Sequence, residues 1–314
     1  MRKCVAISLC LFLWGCNKNA KVSAPVIDEP DQILYVKAMK EMDRHSYVVA
    51  RTLLQTLIST YQDSDYFPKA KYALAESWYR EGGRENLDAA EAAYKDYIIY
   101  FRDSDLADDA QLMVVMTHIR RVQSPDRDNT EARLAELELK EMINAYPNSD
   151  LLEEAKQKLR DVDEVLAESS FRIANQYMLR RNYRASIDRY SEIEEKYPDY
   201  TKIDLVLFNH GESFRLGKNA EAGAKFYAEV VANYPASTRA KLAGQRLIEL
   251  RMPVPPPNPV AVPRPSLQQP DRSLFGKTFG IFKSHPAVPT DTNAASVRDK
   301  DSGSFSVDSK VKKD

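Results

Sequence analysis

Residues 182–201 read NYRASIDRYSEIEEKYPDYT, and this stretch decides the fold. An amphipathic run closes on an aromatic residue, Tyr197. Pro198 then removes the amide that a continuing helix would need. Four further joints share the pattern: Tyr61-Gln-Asp-Ser64, Phe101-Arg-Asp-Ser104, Tyr146-Pro-Asn-Ser149 and Tyr234-Pro-Ala-Ser237. In each, the aromatic closes one helix, Pro or Asp breaks it, and Ser or Thr is expected to cap the next. Successive joints lie 40, 45, 51 and 37 residues apart. Helical hairpins with insertions fit that variability, whereas a rigid propeller period does not.

Two units resolve to single positions. With Pro198 at position 32 of a 34-residue frame, Ala174, Tyr177, Ser186 and Tyr190 fall at positions 8, 11, 20 and 24. With Pro235 there, Gly211, Phe214, Gly223 and Tyr227 take the same places. Small residues at 8 and 20 let paired helices approach, and aromatics at 11 and 24 fill the space toward the neighbouring pair. This pattern resembles the tetratricopeptide repeat. Ala75, Trp78, Ala90 and Tyr94 match it in the second unit if the turn lengthens at Gly82-Gly83. Ala38 and Ala50 match in the first unit, and Ala135 and Pro147 in the third. The expectation is an all-α, right-handed superhelical solenoid of about five hairpins, near 31–60, 65–101, 105–146, 150–197 and 201–234. A capping helix over 236–250 covers its last apolar face. Tyr94, Tyr190 and Tyr227 are expected in the core.

The ends differ from the middle. Met1-Arg2-Lys3 precedes an apolar run from Cys4 to Trp14, too short for a membrane-spanning helix. Leu13-Trp14-Gly15-Cys16 resembles a bacterial lipobox, with Trp14 a departure from its usual small residue. All three cysteines lie within the first sixteen residues, so only Cys16 would survive cleavage, leaving no disulfide and no cysteine metal site. Residues 1–15 are thus expected to be a lipoprotein signal peptide and 16–30 a tether, with diacylglycerol and an N-acyl chain on Cys16. From Met252 the prolines exclude helix, and 252–314 is expected to be a Pro-rich, disordered tail. Within it, Leu274 to Phe282 reads LFGKTFGIF, a candidate linear motif.

Lys and Arg total 45 against 46 Asp and Glu, so no basic excess points to nucleic acid. Ten glycines in 314 residues fall well below the usual ~7% and argue against Gly-rich phosphate loops. The stretch from Gly211 to Gly217-Lys218 has five intervening residues where a phosphate loop has four, and Asn219 stands where Ser or Thr would hold magnesium. His45, His118, His210 and His285 are too dispersed for a metal site. No catalytic constellation, cofactor or metal is expected. In the repeat frame, the first helix of each hairpin lines a groove. The candidate contact residues there are Tyr35, Met39, Tyr72, Glu76, Tyr79 and Arg80. Tyr and Met suit extended peptide segments; the alternative is that these aromatics simply fill a tight superhelix.

The lipobox, the hairpins and the recurrent joints, with Tyr61 to Tyr79 reading YQDSDYFPKAKYALAESWY, together resemble the BamD (ComL or YfiO) family of outer-membrane β-barrel assembly lipoproteins. Departures are the long tail and Gln62 and Arg102 where the joint proline is expected. The resemblance implies a non-catalytic scaffold, lipid-anchored in the outer membrane and facing the periplasm. It implies as partners a barrel-forming (BamA-like) subunit, other assembly lipoproteins and the C-termini of unfolded outer-membrane proteins. The aromatic end of such a strand would suit Tyr35, Tyr72 and Tyr79, and Arg189, Lys196 and Asp199 are the candidate docking face. Three other readings stay open: a pilot protein for a secretin or pilus, an envelope enzyme, and a tether reaching peptidoglycan through the tail.

Overall fold

The computed structural model describes residues 29–122 and 128–259. The expectations on Cys16, the signal peptide and the 274–282 motif lie outside these residues. Among the described residues there are eleven helices and no strand. In chain order they are α1 (Pro30–Asp43), α2 (Tyr47–Thr60), α3 (Phe67–Glu81), α4 (Arg84–Tyr100), α5 (Ala107–Arg121), α6 (Thr130–Ala145), α7 (Leu152–Leu179), α8 (Tyr183–Lys196), α9 (Ile203–Leu216), α10 (Ala220–Asn233) and α11 (Ala240–Glu249). Each packs on its predecessor and its successor, which makes five hairpins and a final helix. The fold is the all-α, tetratricopeptide-like solenoid that the joints announce.

The joints work differently from simple caps. Tyr61, Phe101, Tyr146, Tyr197 and Tyr234 each end a helix with φ between −122° and −131° and ψ between 48° and 64°, outside the helical region. The residue three places on, Ser64, Ser104, Ser149, Tyr200 or Ser237, donates its backbone N–H to the aromatic's carbonyl at 2.9–3.2 Å. None of these residues is an N-cap: those positions fall to Tyr66, Leu106, Leu151, Lys202 and Arg239, without side-chain cap bonds. Instead, each serine hydroxyl accepts from the backbone N–H two residues on. Three of them also donate across the hairpin to a carboxylate in the first turn of its opening helix: Ser64 to Asp31, Ser149 to Asp108 and Ser237 to Asp204. Ser104 meets the Tyr97 hydroxyl at 2.8 Å. In the fourth joint Tyr200 donates to Glu168 and Thr201 to Glu164. The result is a latch at four of the five joints, tying each to the helix that opened its hairpin, whereas the Ser104 contact stays with α4, the helix just closed.

The small residues do what their spacing requires. Ala38, Ala50, Ala75, Ala90, Ala174 and Ser186 are fully buried. The tightest contact is between α9 and α10, where a β-carbon on Gly223 would stand 2.7 Å from the Gly211 carbonyl oxygen. Tyr94, Tyr190 and Tyr227 are fully buried core residues. Four helix ends close with a basic residue at positive φ: His45, Arg181, Lys218 and Arg251. The next residue's N–H reaches five back, as in Asn219 to Phe214 at 2.9 Å, which is the Schellman arrangement. At Arg181, Lys218 and Arg251 the cation also faces the negative end of the helix dipole.

The solenoid departs from regularity at α7, whose 28 residues span about 42 Å. Its first part packs with α6 around Leu139, Met142 and Val162, and its last part with α8, where Tyr190 donates to Asn175 at 2.6 Å. At the other end, residues 252–259 contain no helix, as the prolines dictate, yet they are not free linker. Met252 joins the core of α9, α10 and α11, and the Asn258 N–H donates to the Ala232 carbonyl at 2.8 Å. This segment is a strap along the last helices.

Candidate functional site

The first helices of hairpins one and two bring Tyr35, Met39, Tyr72, Glu76, Tyr79 and Arg80 onto neighbouring elements, α1 and α3. The tyrosines, however, are core. Tyr35, Tyr72 and Tyr79 are 4%, 8% and 1% exposed. Tyr35 packs on Tyr66 with ring centroids 5.2 Å apart, and Tyr72 stands edge-on to Tyr94 and Tyr97. The Arg120 guanidinium covers Tyr79 at 4.5 Å and donates to its carbonyl. The expectation that these rings offer themselves to a passing strand is corrected accordingly: they fill the gap between successive hairpins.

What stays at the surface is the polar pair. Arg80 holds Glu76 through two bonds, Nη2 at 2.5 Å and Nε at 2.9 Å, and both side chains keep partial exposure. Beneath them, burial raises the hydroxyl pKa of Tyr35, Tyr72 and Tyr94, and the Glu76 charge adds to it in each case. The Tyr35 and Tyr94 hydroxyls are buried without a hydrogen-bond partner among the described residues. Met39 is half-buried beside the first core cluster. The contact surface in these two hairpins is therefore a guanidinium–carboxylate pair seated on buried phenols, with Met39 on the neighbouring helix.

Arg189 and Lys196 share one carboxylate on α8. Arg189 reaches Glu192 at 2.7 Å and Lys196 reaches it at 2.9 Å. The Lys196 hydrogen bond leads the effects that hold Glu192 below the usual carboxylate range. Asp199 lies exposed in the joint beyond the helix. Next to this face the structure shows something that the sequence did not reveal. The start of α6, the middle of α7 and the end of α8 diverge around a cleft of about 350 Å³, walled by Arg133, Glu136, Lys140, Leu166, Glu192 and Lys196. Among the described residues no group of three or more His, Cys, Asp or Glu is placed to hold a metal ion, and no helix is long and apolar enough to cross a membrane.

Residues 27–226 match the model of YfiO, an outer membrane lipoprotein family. The chain belongs to the YfiO family. The match takes in α1 to α9 and the first half of α10, so both groups of candidate residues fall inside it. Among curated relatives, the outer membrane protein assembly factor BamD of Vibrio cholerae is 26% identical over 205 residues, 62% of this chain and 81% of that protein. BamD of Neisseria gonorrhoeae is 23% identical, covering 65% and 78%, and BamD of Rickettsia prowazekii 23%, covering 72% and 88%. A solved structure of the TPR2AB domain of yeast Sti1 with pHSP90 aligns at a TM-score of 0.36 and 10% identity, covering 70% of this chain and 84% of that one. The match ends within α10, before α11 and the strap.

Proposed function

We propose that this chain is a non-catalytic scaffold of an outer-membrane β-barrel assembly complex, anchored through acyl chains on Cys16 and facing the periplasm. The observation that carries the reading is the family match across nearly the whole solenoid, with relatives named as outer membrane protein assembly factors. In this reading the α8 face, with Arg189, Lys196 and Asp199, docks the barrel-forming subunit. The α1–α3 surface receives the C-terminal segment of unfolded outer-membrane proteins. Arg80 is the group chemically suited to a terminal carboxylate, because its planar fork already takes Glu76 in two-bond geometry. Met39 supplies an adaptable apolar contact beside it.

The test is affinity isolation of the full lipidated protein from outer membranes, followed by mass spectrometry. Recovery of a large barrel protein with periplasmic repeat domains is expected. Recovery of a secretin or pilus component without that barrel would replace the reading with a pilot function. Arg80→Ala should weaken capture of a peptide ending in an aromatic residue while leaving the fold intact. Tyr72→Ala should lower stability by roughly 3–5 kcal/mol, as for a buried aromatic, and so cannot serve as a binding variant.

A further inference from the structure

The turns inside the last two hairpins and the end of the final helix share one edge of the solenoid. Asn209 on α9 donates to Asn175 on α7 at 3.0 Å, and Arg246 on α11 donates to Glu212 on α9 at 2.9 Å. The three helices therefore lie side by side, with their C-terminal ends together. The turns after α7 and α9 touch: a β-carbon on Gly217 would stand 3.4 Å from the β-carbon of Tyr183. Along this edge each helix ends near an exposed apolar side chain. Leu179 is 80% exposed, Ile248 67% and Leu216 41%. Neighbouring helices pack roughly 8–10 Å apart, so the three tips are spread over about 20 Å.

The same edge is basic. Arg181, Lys218 and Arg251 are the cations held at positive φ, and Arg180 and Arg184 flank the first of them. All five are exposed, and none has an ion-pair partner among the described residues. The neighbouring acids are mostly committed elsewhere. Glu212 is held by Arg215 and Arg246, and Glu249 by Arg246 at 2.8 Å. Glu221, in the first turn of α10, and Asp188, one turn beyond Arg184, remain against the five cations.

We propose that this edge rests on an anionic lipid surface, with Leu179, Leu216 and Ile248 entering the headgroup layer and the five cations meeting its phosphates. The tips project singly from separate turns. A protein partner would have to supply a pocket for each, whereas a fluid lipid layer closes around every tip on its own. The surplus of unpaired cations suits an anionic layer, where each one near the surface strengthens binding about fivefold. The reach of the chain agrees. A first hairpin standing on its turn holds Pro30 about 21 Å up, the length of the 14-residue α1. Residues 16–29 extend to at most about 50 Å, which leaves slack to an anchor at Cys16. The inference takes that anchor from the proposed function and takes nothing from the barrel-forming partner.

The experiment puts the full lipidated chain into vesicles of equal parts phosphatidylethanolamine and phosphatidylglycerol. An environment-sensitive fluorophore sits on Leu179→Cys, and nitroxide-labelled lipid is the quencher. The acyl chain occupies the Cys16 thiol, so the fluorophore goes to one place. Glu195→Cys, exposed in the last turn of α8 at the opposite edge, carries the reference label. Strong quenching at position 179 and none at 195 is expected. Replacing Arg180, Arg181 and Lys218 together by Gln should weaken docking about a hundredfold, from about fivefold per cation, and abolish the quenching. An unchanged circular dichroism spectrum of that variant separates lost docking from lost fold. Quenching absent at 179, equal at both positions, or undiminished in the triple variant or in phosphatidylcholine vesicles would overturn the proposal. So would capture of an acidic protein segment, and no lipid, by a photo-crosslinker at Leu179 in cells. If the barrel subunit co-purifies but position 179 is not quenched, this inference fails while the assembly function stands. Quenching with no barrel subunit recovered gives the reverse.

Discussion

The crossing of α9 and α10 offers a test in which two effects of known size oppose each other. A methyl group on Gly223 would lie 2.7 Å from the Gly211 carbonyl oxygen and 3.3 Å from the Phe214 β-carbon. Ordinary contact begins near 3.4 Å, so the helices must part by several tenths of an ångström, and the obstructing oxygen is backbone and cannot rotate away. Overpacking of that kind costs about 1–3 kcal/mol. Glycine inside a helix is itself worth about 0.5–1 kcal/mol less than alanine, which pulls the other way. The clash should win: Gly223→Ala should lower stability by about 1–2 kcal/mol, a fall in Tm of about 2–8 °C for a domain of this size. Gly244 in α11 is the control. A β-carbon there meets only Val231 and Val254 methyl groups at 3.9 and 4.0 Å, so Gly244→Ala collects the helical gain alone and should raise Tm by about 1–4 °C. Thermal melts followed by circular dichroism read both. Gly223→Ala melting at or above the parent would refute the close crossing as the reason for glycine at that position.

The latches predict an order. Ser237→Ala removes a hydrogen bond to the buried carboxylate of Asp204 and should cost about 1.5–3 kcal/mol, while Ser104→Ala loses a neutral tyrosine contact and should cost about 0.5–1.5 kcal/mol; equal Tm losses would sink the charge argument. Asp163 carries a pH signature. With its folded-state carboxyl raised from 3.8 to about 6, the folded chain holds the proton more tightly than the unfolded chain. Stability is therefore lost as pH rises from 3.8 through 6, and the penalty is complete above that. Asp163→Asn should be more stable than the parent at about pH 8 by on the order of 1 kcal/mol, allowing for solvent screening at a half-buried group, and equal to it below about pH 4. Denaturant midpoints across that range give the comparison, and a pH-independent difference would count against it. Truncation after Arg251 removes the strap that covers α10 and α11, so amide exchange in α11 should accelerate while α1 to α8 stay protected.

The joints were legible because their signal is local: an aromatic and a helix breaker, followed in four of the five by a serine, within four residues. The latches were not, since the carboxylates lie 33 or 41 residues from the serines they hold, with nothing in the intervening sequence to mark them. The groove tyrosines show the limit of a repeat frame. Tyr35, Tyr72 and Tyr79 point toward the boundary between successive hairpins, and whether a ring there is open or covered depends on Tyr66, Tyr94 and Arg120 from other elements. Nothing in the local sequence sets Asp163 apart from the other acids of α7, and only the packed structure shows one of its oxygens buried without a hydrogen-bond partner among the described residues. The turn after α9 places Lys218, not the adjacent Gly217, in the left-handed region, because the Schellman bonds fix which residue must turn.

The long helix α7 has a mechanical consequence. It is one continuous rod that serves as neighbour to α6 at one end and to α8 at the other, so it is the beam on which the two arms of the solenoid hang. A tilt of about 5° around its middle carries each tip of a ~42 Å rod through about 2 Å. Anything that wedges α6 and α8 apart at mid-beam therefore re-aims the hairpins carrying Arg80 relative to those carrying the strap, with no hinge required in between.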